Sequence, residues 1–375
     1  MKKSHPIFSD QQTGKLRVNR EQAYCKLRAQ AKINLSLTIL GKRPDNYHQL
    51  HSIMQSLALH DIIKLTLKPL NPTAETNISL FSNNGALSCG MENIAYRSAK
   101  LFLEHFQLKA DLTISIIKNI SLAAGLAGGS ANGAAVLRGL ANLYNNPQSR
   151  LFFRSISSAN RANRNNSLNS SKISNSSSFS NGSNTIDAAE LLHAASKRQH
   201  KIISQTALLE IAVRIGADVP FCLQRGTALC EGIGEIINPL DSFSERPVLI
   251  YNPPETILTA EAFQALNAQS LAELKLADQK SLDHYNRLLR TGLKAMHKHF
   301  ANDFTSAILY KYPHLQNVCH ALKQTGSQFV RFTGSGPTIF AVYDSYTERD
   351  QALLLLEKSD FPGTFTATYT KDAWD

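Results

Sequence analysis

Between residues 28 and 40 the chain alternates apolar and polar positions: Ala31, Ile33, Leu35, Leu37 and Ile39 fall on one side, Lys32, Asn34, Ser36 and Thr38 on the other. A period of two sends successive side chains to opposite faces, so the segment predicts a half-buried β-strand with Lys32 and Asn34 together on its polar face. Residues 41–49 read as a turn-rich loop, and 50–67 carry further strand-like runs. Residues 91–106 switch to helical spacing, with Ile94, Ala95, Ser98, Leu101 and Phe102 as the apolar stripe. A short strand at 112–117 leads into a glycine-rich loop at 123–129 and a helix at 130–144. Further on, the pattern predicts a helix at 205–215, a Gly-Ala-Asp-Val-Pro loop and a strand at 221–229. The last third gives a strand at 247–251, helices near 259–266 and 313–323, and a strand–turn–strand at 329–343. Strands and helices in this order imply an α+β fold of two domains, 1–245 and 246–375.

One stretch breaks the pattern. Of the 34 residues 151–184, 20 are Ser or Asn and none is acidic. Such a segment buries too little apolar surface to offset its chain entropy, which predicts a disordered surface insertion spanning about 146–200, with room for a short helix at 185–200.

Composition narrows the class. The 375 residues are 43% hydrophobic and 18% charged, enough to build large cores without metal or disulfide staples. No run reaches the roughly 18 apolar residues of a membrane span, and residues 1–20 lack the apolar stretch of a secretory signal. Five cysteines at irregular spacing, with no Cys-x-x-Cys pair, read as reduced thiols of a cytoplasmic protein rather than a zinc site. The net charge of +11 raises a nucleic-acid-binding alternative. Residues 150–201 alone hold eight Lys or Arg against two acids, however, and their only aromatics are Phe152, Phe153 and Phe179. That offers no stacking or recognition module, so no nucleic-acid partner and no membrane is expected.

Five constellations carry candidate chemistry. In Ser-Leu-Ala-Ala-Gly-Leu-Ala-Gly-Gly-Ser, residues 121–130, glycines let the backbone approach a polyphosphate, and the helix that follows adds the positive end of its dipole. The loop is neither a Walker A motif nor Gly-x-Gly-x-x-Gly, and a tight structural turn is the competing reading. Lys32 and Asn34 share a strand face, where most lysines merely meet solvent. Asp218 sits in the loop after Gly216, either capping its own turn or aimed at a substrate hydroxyl. Tyr47 offers a ring for stacking and His48 a ring nitrogen for pairing. The Gly-Ser-Gly turn at 334–336 joins two strands.

Together, in this order, these motifs resemble those of the GHMP kinases, the relatives of galactokinase, homoserine kinase and mevalonate kinase, from Ala29 to about Asp344. The blocks at 31–52, 123–137, 215–235 and 333–344 are most similar to the branch whose alcohol substrate carries a cytidine diphosphate group. The resemblance implies a ribosomal-S5-like first domain, a ferredoxin-like second domain and an active site in the cleft between them. It implies an ATP-dependent kinase that phosphorylates the 2-hydroxyl, a tertiary alcohol, of a methylerythritol unit in the non-mevalonate route to isoprenoid precursors. Lys32 and Asp218 match the catalytic pair. Ser121, Leu122, Ala123, Ala124, Gly125, Leu126, Ala127, Gly128, Gly129, Ser130 and Ala131 match the stretch around the ATP phosphates, and Asn93 lies where a family Asn approaches adenine. Tyr47 and His48 match the residues that hold the cytosine ring, and Asn34, on the strand face of Lys32, is expected to line the same site as a substrate contact. Mg2+ would bridge the phosphates with Ser130 as a contact, and a monomer or weak dimer is expected. Three departures stand out: Asn46 replaces the usual Gly before Tyr-His, Ala131 a second Ser, and Ser121 the usual Pro. Asn is the best non-glycine residue for a left-handed turn, so the Tyr47 loop should survive. Another GHMP kinase, of the homoserine or mevalonate type, is the alternative within the fold.

Overall fold

The computed structural model describes residues 16–71, 73–155, 202–267 and 281–372. The first sheet contains β1 (Arg17–Val18), β2 (Ala23–Lys42), β3 (His48–Lys68) and β4 (Asn77–Ser82). After helix α1 (Ile94–His105) and the two-residue β5 (Leu108–Lys109) come β6 (Asp111–Ile117) and helix α2 (Gly128–Asn145). β7 (Arg154–Ser155) pairs with β5, and then follow α3 (Gln205–Ile215), α4 (Val219–Gln224), β8 (Thr227–Gly232) and β9 (Ile236–Pro239). The strand order is β1-β2-β3-β6-β4, with β8 and β9 continuing from the first half of β3. Thus one edge of β3 bonds β8 along Leu50–Gln55 and β6 along Ile62–Lys68.

The second sheet is antiparallel, ordered β11-β12-β10-β13, from β10 (Pro247–Asn252), β11 (Phe329–Phe332), β12 (Ile339–Val342) and β13 (Thr364–Tyr369). Between β10 and β11 run α5 (Thr259–Asn267), α6 (Leu282–Thr291), α7 (Leu293–His299), α8 (Thr305–Lys311) and α9 (Leu315–Gln324), and α10 (Tyr346–Leu356) precedes β13. Among the described residues, no helix is long and apolar enough to cross a membrane.

The alternation at 28–40 hides a change of face. β2 shifts register against β3 at Gln30/Lys32 and again at Asn34/Ser36. At the first shift two residues of β2 stand against four of β3, Gln30 pairing with His60 and Lys32 with Ser56, and the pleat of β2 is interrupted there. Before the first shift, Cys25 and Ala29 pack in the core built around α2. After it, Ala31, Ile33 and Leu35 pack instead with Val248, Phe329 and Phe340 of the second sheet. Lys32 and Asn34 are thereby turned toward the glycine loop. The strand is not half-buried as expected, because the second sheet covers one face and the loop the other: Lys32 is 3% exposed and Asn34 1%.

Two further expectations need correction. The strand at 221–229 is a buried helical turn, α4, followed by β8. Pro220 occupies the first turn, where its missing N–H costs nothing. Five consecutive buried residues, Val219 to Leu223, leave no period from which to tell helix from strand. The predicted disorder also starts too early. Phe152 and Phe153 are buried, and Arg154 and Ser155 pair with β5. The rest of the Ser/Asn-rich segment and the 185–200 helix lie outside the described residues. The flanking Ile203 is held by Asn145 at the C-terminal end of α2, about 25 Å along the helix from Gly128 at 1.5 Å per residue.

Candidate active site

A cleft of about 870 Å3 runs between the glycine loop, the start of β3, α5 and the β11–β12 turn. Lys32 lies at its floor. Its Nζ donates to Asn34 Oδ1 at 2.7 Å and stands 3.7 Å from Asp218 Oδ2. The lysine side chain is 4% exposed and the aspartate 31%, so the ammonium is shielded while the carboxylate faces the open cleft. Asp218 occupies the N-cap position of α4 but makes no side-chain cap bond, which leaves its oxygens free for work in the cleft. Strand and helix come from opposite ends of the first unit, and the face exchange in β2 is what lets them meet.

The glycine loop arches over this pair. Lys32 N–H donates to Leu126 O at 3.1 Å, tying the loop to β2. Ala123 and Ala127 are both left-handed, with φ 52° and 54°, and Gly125 has φ +72°. A Cβ on Gly125 would lie 2.5 Å from Thr333 O, so only glycine permits the loop and the β11–β12 turn to touch. α2 begins at Gly128, two residues earlier than its pattern predicted, because the left-handed Ala127 already turns the chain into the helix. Ala127 supplies no side-chain cap, so the first N–H groups of α2 face the cleft unclaimed by side chains, at the positive end of the dipole. Lys118 also lines the cleft, its Nζ against Gly128 and paired with Asp61. Asp61 is fully buried and accepts the backbone N–H groups of Asn119 at 2.7 Å and Ile120 at 2.9 Å, which fixes the entry to the loop.

At the other end, Asn46 adopts φ +68°, so the Asn-for-Gly replacement leaves the turn intact as expected. Arg43 and Asp45 brace it: Arg43 N–H donates to Tyr47 O at 2.7 Å, and Tyr47 N–H to Asp45 Oδ1 at 3.1 Å. His48 stacks on Phe263 of α5, ring centres 4.2 Å apart and planes at 15°. Tyr47 stands 60% exposed at the cleft rim.

Of the residues singled out from sequence, Lys32, Asn34, Tyr47, His48, Asp218 and the run from Ser121 to Ser130 all line this cleft. Ala131 and Asn93 do not. Ala131 is 1% exposed and its N–H is spent on Ala127 O. Asn93 caps α1, accepting from Ala95 N–H and donating to Ser88 O. Sequence reasoning missed Lys118, Phe263 and Thr333. Lys118 follows the predicted strand at 112–117, Phe263 lies inside the helix predicted near 259–266 and Thr333 begins the Gly-Ser-Gly turn, but none carries a mark of its own in the sequence. Among the described residues no cluster of three or more His, Cys, Asp or Glu could hold a metal ion.

This is the layout of a phosphoryl-transfer site, with an anion cradle, a buried cation and an open carboxylate. The chain matches the sequence profiles described as GHMP kinases N terminal domain at residues 93–182 and GHMP kinases C terminal at 283–359. Its fold is shared with a crystal structure of 4-(cytidine 5'-diphospho)-2C-methyl-D-erythritol kinase (TM-score 0.59, 22% identity, 93% of this chain and all of that one). Homoserine kinase from Cytophaga hutchinsonii is similar in fold as well (TM-score 0.60, 15% identity, 95% and 96% covered). In sequence it is 33% identical over 318 residues to 4-diphosphocytidyl-2-C-methyl-D-erythritol kinase of Clostridium tetani, covering 85% of this chain and 90% of that protein. The Clostridium perfringens enzyme of the same name is 31% identical over 339 residues, covering 88% and 93%. The chain therefore belongs to the GHMP kinases, and within them to the 4-diphosphocytidyl-2-C-methyl-D-erythritol kinase family.

Proposed function

We propose that this chain transfers the γ-phosphoryl group of ATP to the 2-hydroxyl of 4-diphosphocytidyl-2-C-methyl-D-erythritol, with Lys32 and Asp218 at the reacting centre. The observation that carries the reading is the 3.7 Å approach of Lys32 Nζ to Asp218 Oδ2 beneath the glycine loop, in a cleft that also contains Tyr47 and His48. Phosphoryl transfer asks mainly for positioning and charge stabilisation. Bound ATP supplies the phosphoryl group, and Mg2+ neutralises charge across its oxygens. The fit to a triphosphate rests on the left-handed loop and the uncapped start of α2. Mg2+ would be held mainly by the phosphates, as is usual for this ion, with Ser130 at the start of α2 as its protein contact.

Asp218 accepts the proton of the substrate hydroxyl and orients it toward the phosphate. Lys32 balances the charge that grows on the equatorial phosphoryl oxygens. Tyr47 and His48 hold the cytosine ring, and Asn34 faces the polyol. The two units, meeting near residue 245, close on the substrate from either side, and the enzyme works in the cytoplasm as a monomer or weak dimer. Asp218→Asn tests the assignment in an ADP-release assay. It keeps the volume and removes the base, so turnover should fall about 10²-fold or more while ATP binding persists. Near-normal turnover of the variant would show that Asp218 is not the base.

A further inference from the structure

We infer that Thr333, from the second unit, is a positioning residue that holds the Asn34 side-chain amide and through it the ammonium of Lys32. The inference rests on the assignment of Lys32 above and adds a residue that touches neither ATP nor the reacting hydroxyl.

β1 pairs only with Ala23 and Tyr24, so the opposite edge of β2 at Lys32 and Asn34 is bonded by other segments. Lys32 N–H goes to Leu126 O of the glycine loop, and Asn34 N–H to Thr333 Oγ1 at 3.1 Å. Thr333 is fully buried, so its hydroxyl hydrogen has protein acceptors only: Asn34 Oδ1 at 3.3 Å and Gly125 O at 3.5 Å. On the other side, Asn34 Nδ2 donates to Ser52 Oγ at 2.8 Å, and Ser52 in turn donates to Ser36 O at 2.7 Å. The donor directions from Asn34 through Ser52 are therefore fixed. Ser52 spends its hydrogen on a carbonyl and can only accept from Asn34. The Asn34 amide must then present Oδ1 to Lys32, which donates to it at 2.7 Å. A flipped amide would set its NH2 against the ammonium and leave Ser52 without a donor.

Thr333 is itself clamped. Asn302, 5% exposed, donates from Nδ2 to both Phe332 O and Gly334 O at 3.0 Å, while its Oδ1 accepts from Phe304 N–H at 3.0 Å. The carbonyls on either side of Thr333 are thus pinned to the segment between α7 and α8. A rigid turn of the second unit delivers one hydroxyl to the strand that carries Lys32. Such a device acts on kcat, since an ammonium held on target matters most when charge builds on the transferring group.

The test is a series with kcat and both KM values read separately. Thr333→Val keeps the branched shape and removes the hydroxyl; Thr333→Ser keeps the hydroxyl. Loss of one hydrogen bond of about 1 kcal/mol corresponds to a roughly five- to tenfold fall in kcat. The Val variant should show that fall with the KM for ATP and for the cytidine substrate within about twofold, and Ser should recover most of it. A purely structural role would move the melting temperature and leave this split unmade. In a cycle with Asn34→Ala, the double variant should be hardly slower than Asn34→Ala alone, because both changes cut one chain. Additive losses, a rise in ATP KM at constant kcat, or a Val variant equal to wild type would each overturn the inference. Lys32→Met, run beside them, separates the two readings: if it retains turnover, the Lys32 assignment fails and Thr333 with it. If it is inactive while Thr333→Val is normal, only the positioning role fails.

Discussion

Replacing Gly125 with alanine probes the contact between the glycine loop and the second unit with a single methyl group. Two costs follow from the geometry. At φ +72° an L-residue loses about 1–2 kcal/mol relative to glycine. The new Cβ would also lie 2.5 Å from Thr333 O, inside the 3.0 Å below which real Cβ atoms are essentially never found. The obstacle is backbone, and it is pinned by Asn302 on both sides, so the loop rather than the turn must give way. Overpacking of this kind costs roughly 1–3 kcal/mol. Gly226→Ala separates the two costs, because Gly226 has φ +84° but nothing within 4 Å of its would-be Cβ. Melting curves of the two variants should therefore differ, Gly125→Ala lying lower by about 1–3 kcal/mol, or several degrees. Steady-state kinetics should show the larger effect, an approximately tenfold or greater loss of kcat/KM for ATP, since small displacements of a positioning loop are costly in rate. Equal melting temperatures for the two variants together with normal ATP kinetics in Gly125→Ala would refute the close approach of loop and turn.

Other expectations follow from the same geometry. His48→Ala removes a ring stacked on Phe263. It should raise KM for the cytidine substrate at least tenfold and leave ATP KM nearly unchanged, because a site built to pair a base edge is sensitive to losing its partner; equal effects on both would remove cytosine recognition from His48. Acidification should destabilise the fold. Burial lowers the pKa of His51 below its ordinary value of 6.5, outweighing the nearby Glu231, and burial with the Arg331 charge does the same for His297. The unfolded chain then takes up protons first, so stability is full above pH 6.5 and falls as pH drops through the window between 6.5 and the lowered values. A melting temperature that held constant between pH 7 and 5 would contradict this, and His51→Gln should flatten the slope.

Much of the site could be read from the chain, because its parts depend on local rules. A left-handed turn before Tyr47, a glycine-rich entry to α2 and the alternation around Lys32 each follow from backbone sterics within a few residues. What escaped reading was non-local. The face exchange in β2 arises from pairing with β3, and no feature of residues 28–40 announces it. α4 reads as a strand because Val219 to Leu223 are buried without a break, which erases periodicity. Asn93 resembled a ligand contact by position, yet an Asn immediately before a helix is also an ideal cap, and the cap won. Phe263 and Thr333 become site residues only when the second unit folds over the first. Their partners in the first unit are more than two hundred residues away in sequence: 299 separate Asn34 from Thr333.

The central claim is the chemistry joined to this cleft. Incubation of the protein with Mg·ATP and 4-diphosphocytidyl-2-C-methyl-D-erythritol, followed by phosphorus NMR of the product, tests it most directly. The account predicts a new phosphomonoester signal on the 2-oxygen formed in step with ADP, lost with Asp218→Asn and absent when homoserine or mevalonate replaces the cytidine substrate. ADP release without that signal, or equal phosphorylation of homoserine or mevalonate, would contradict it.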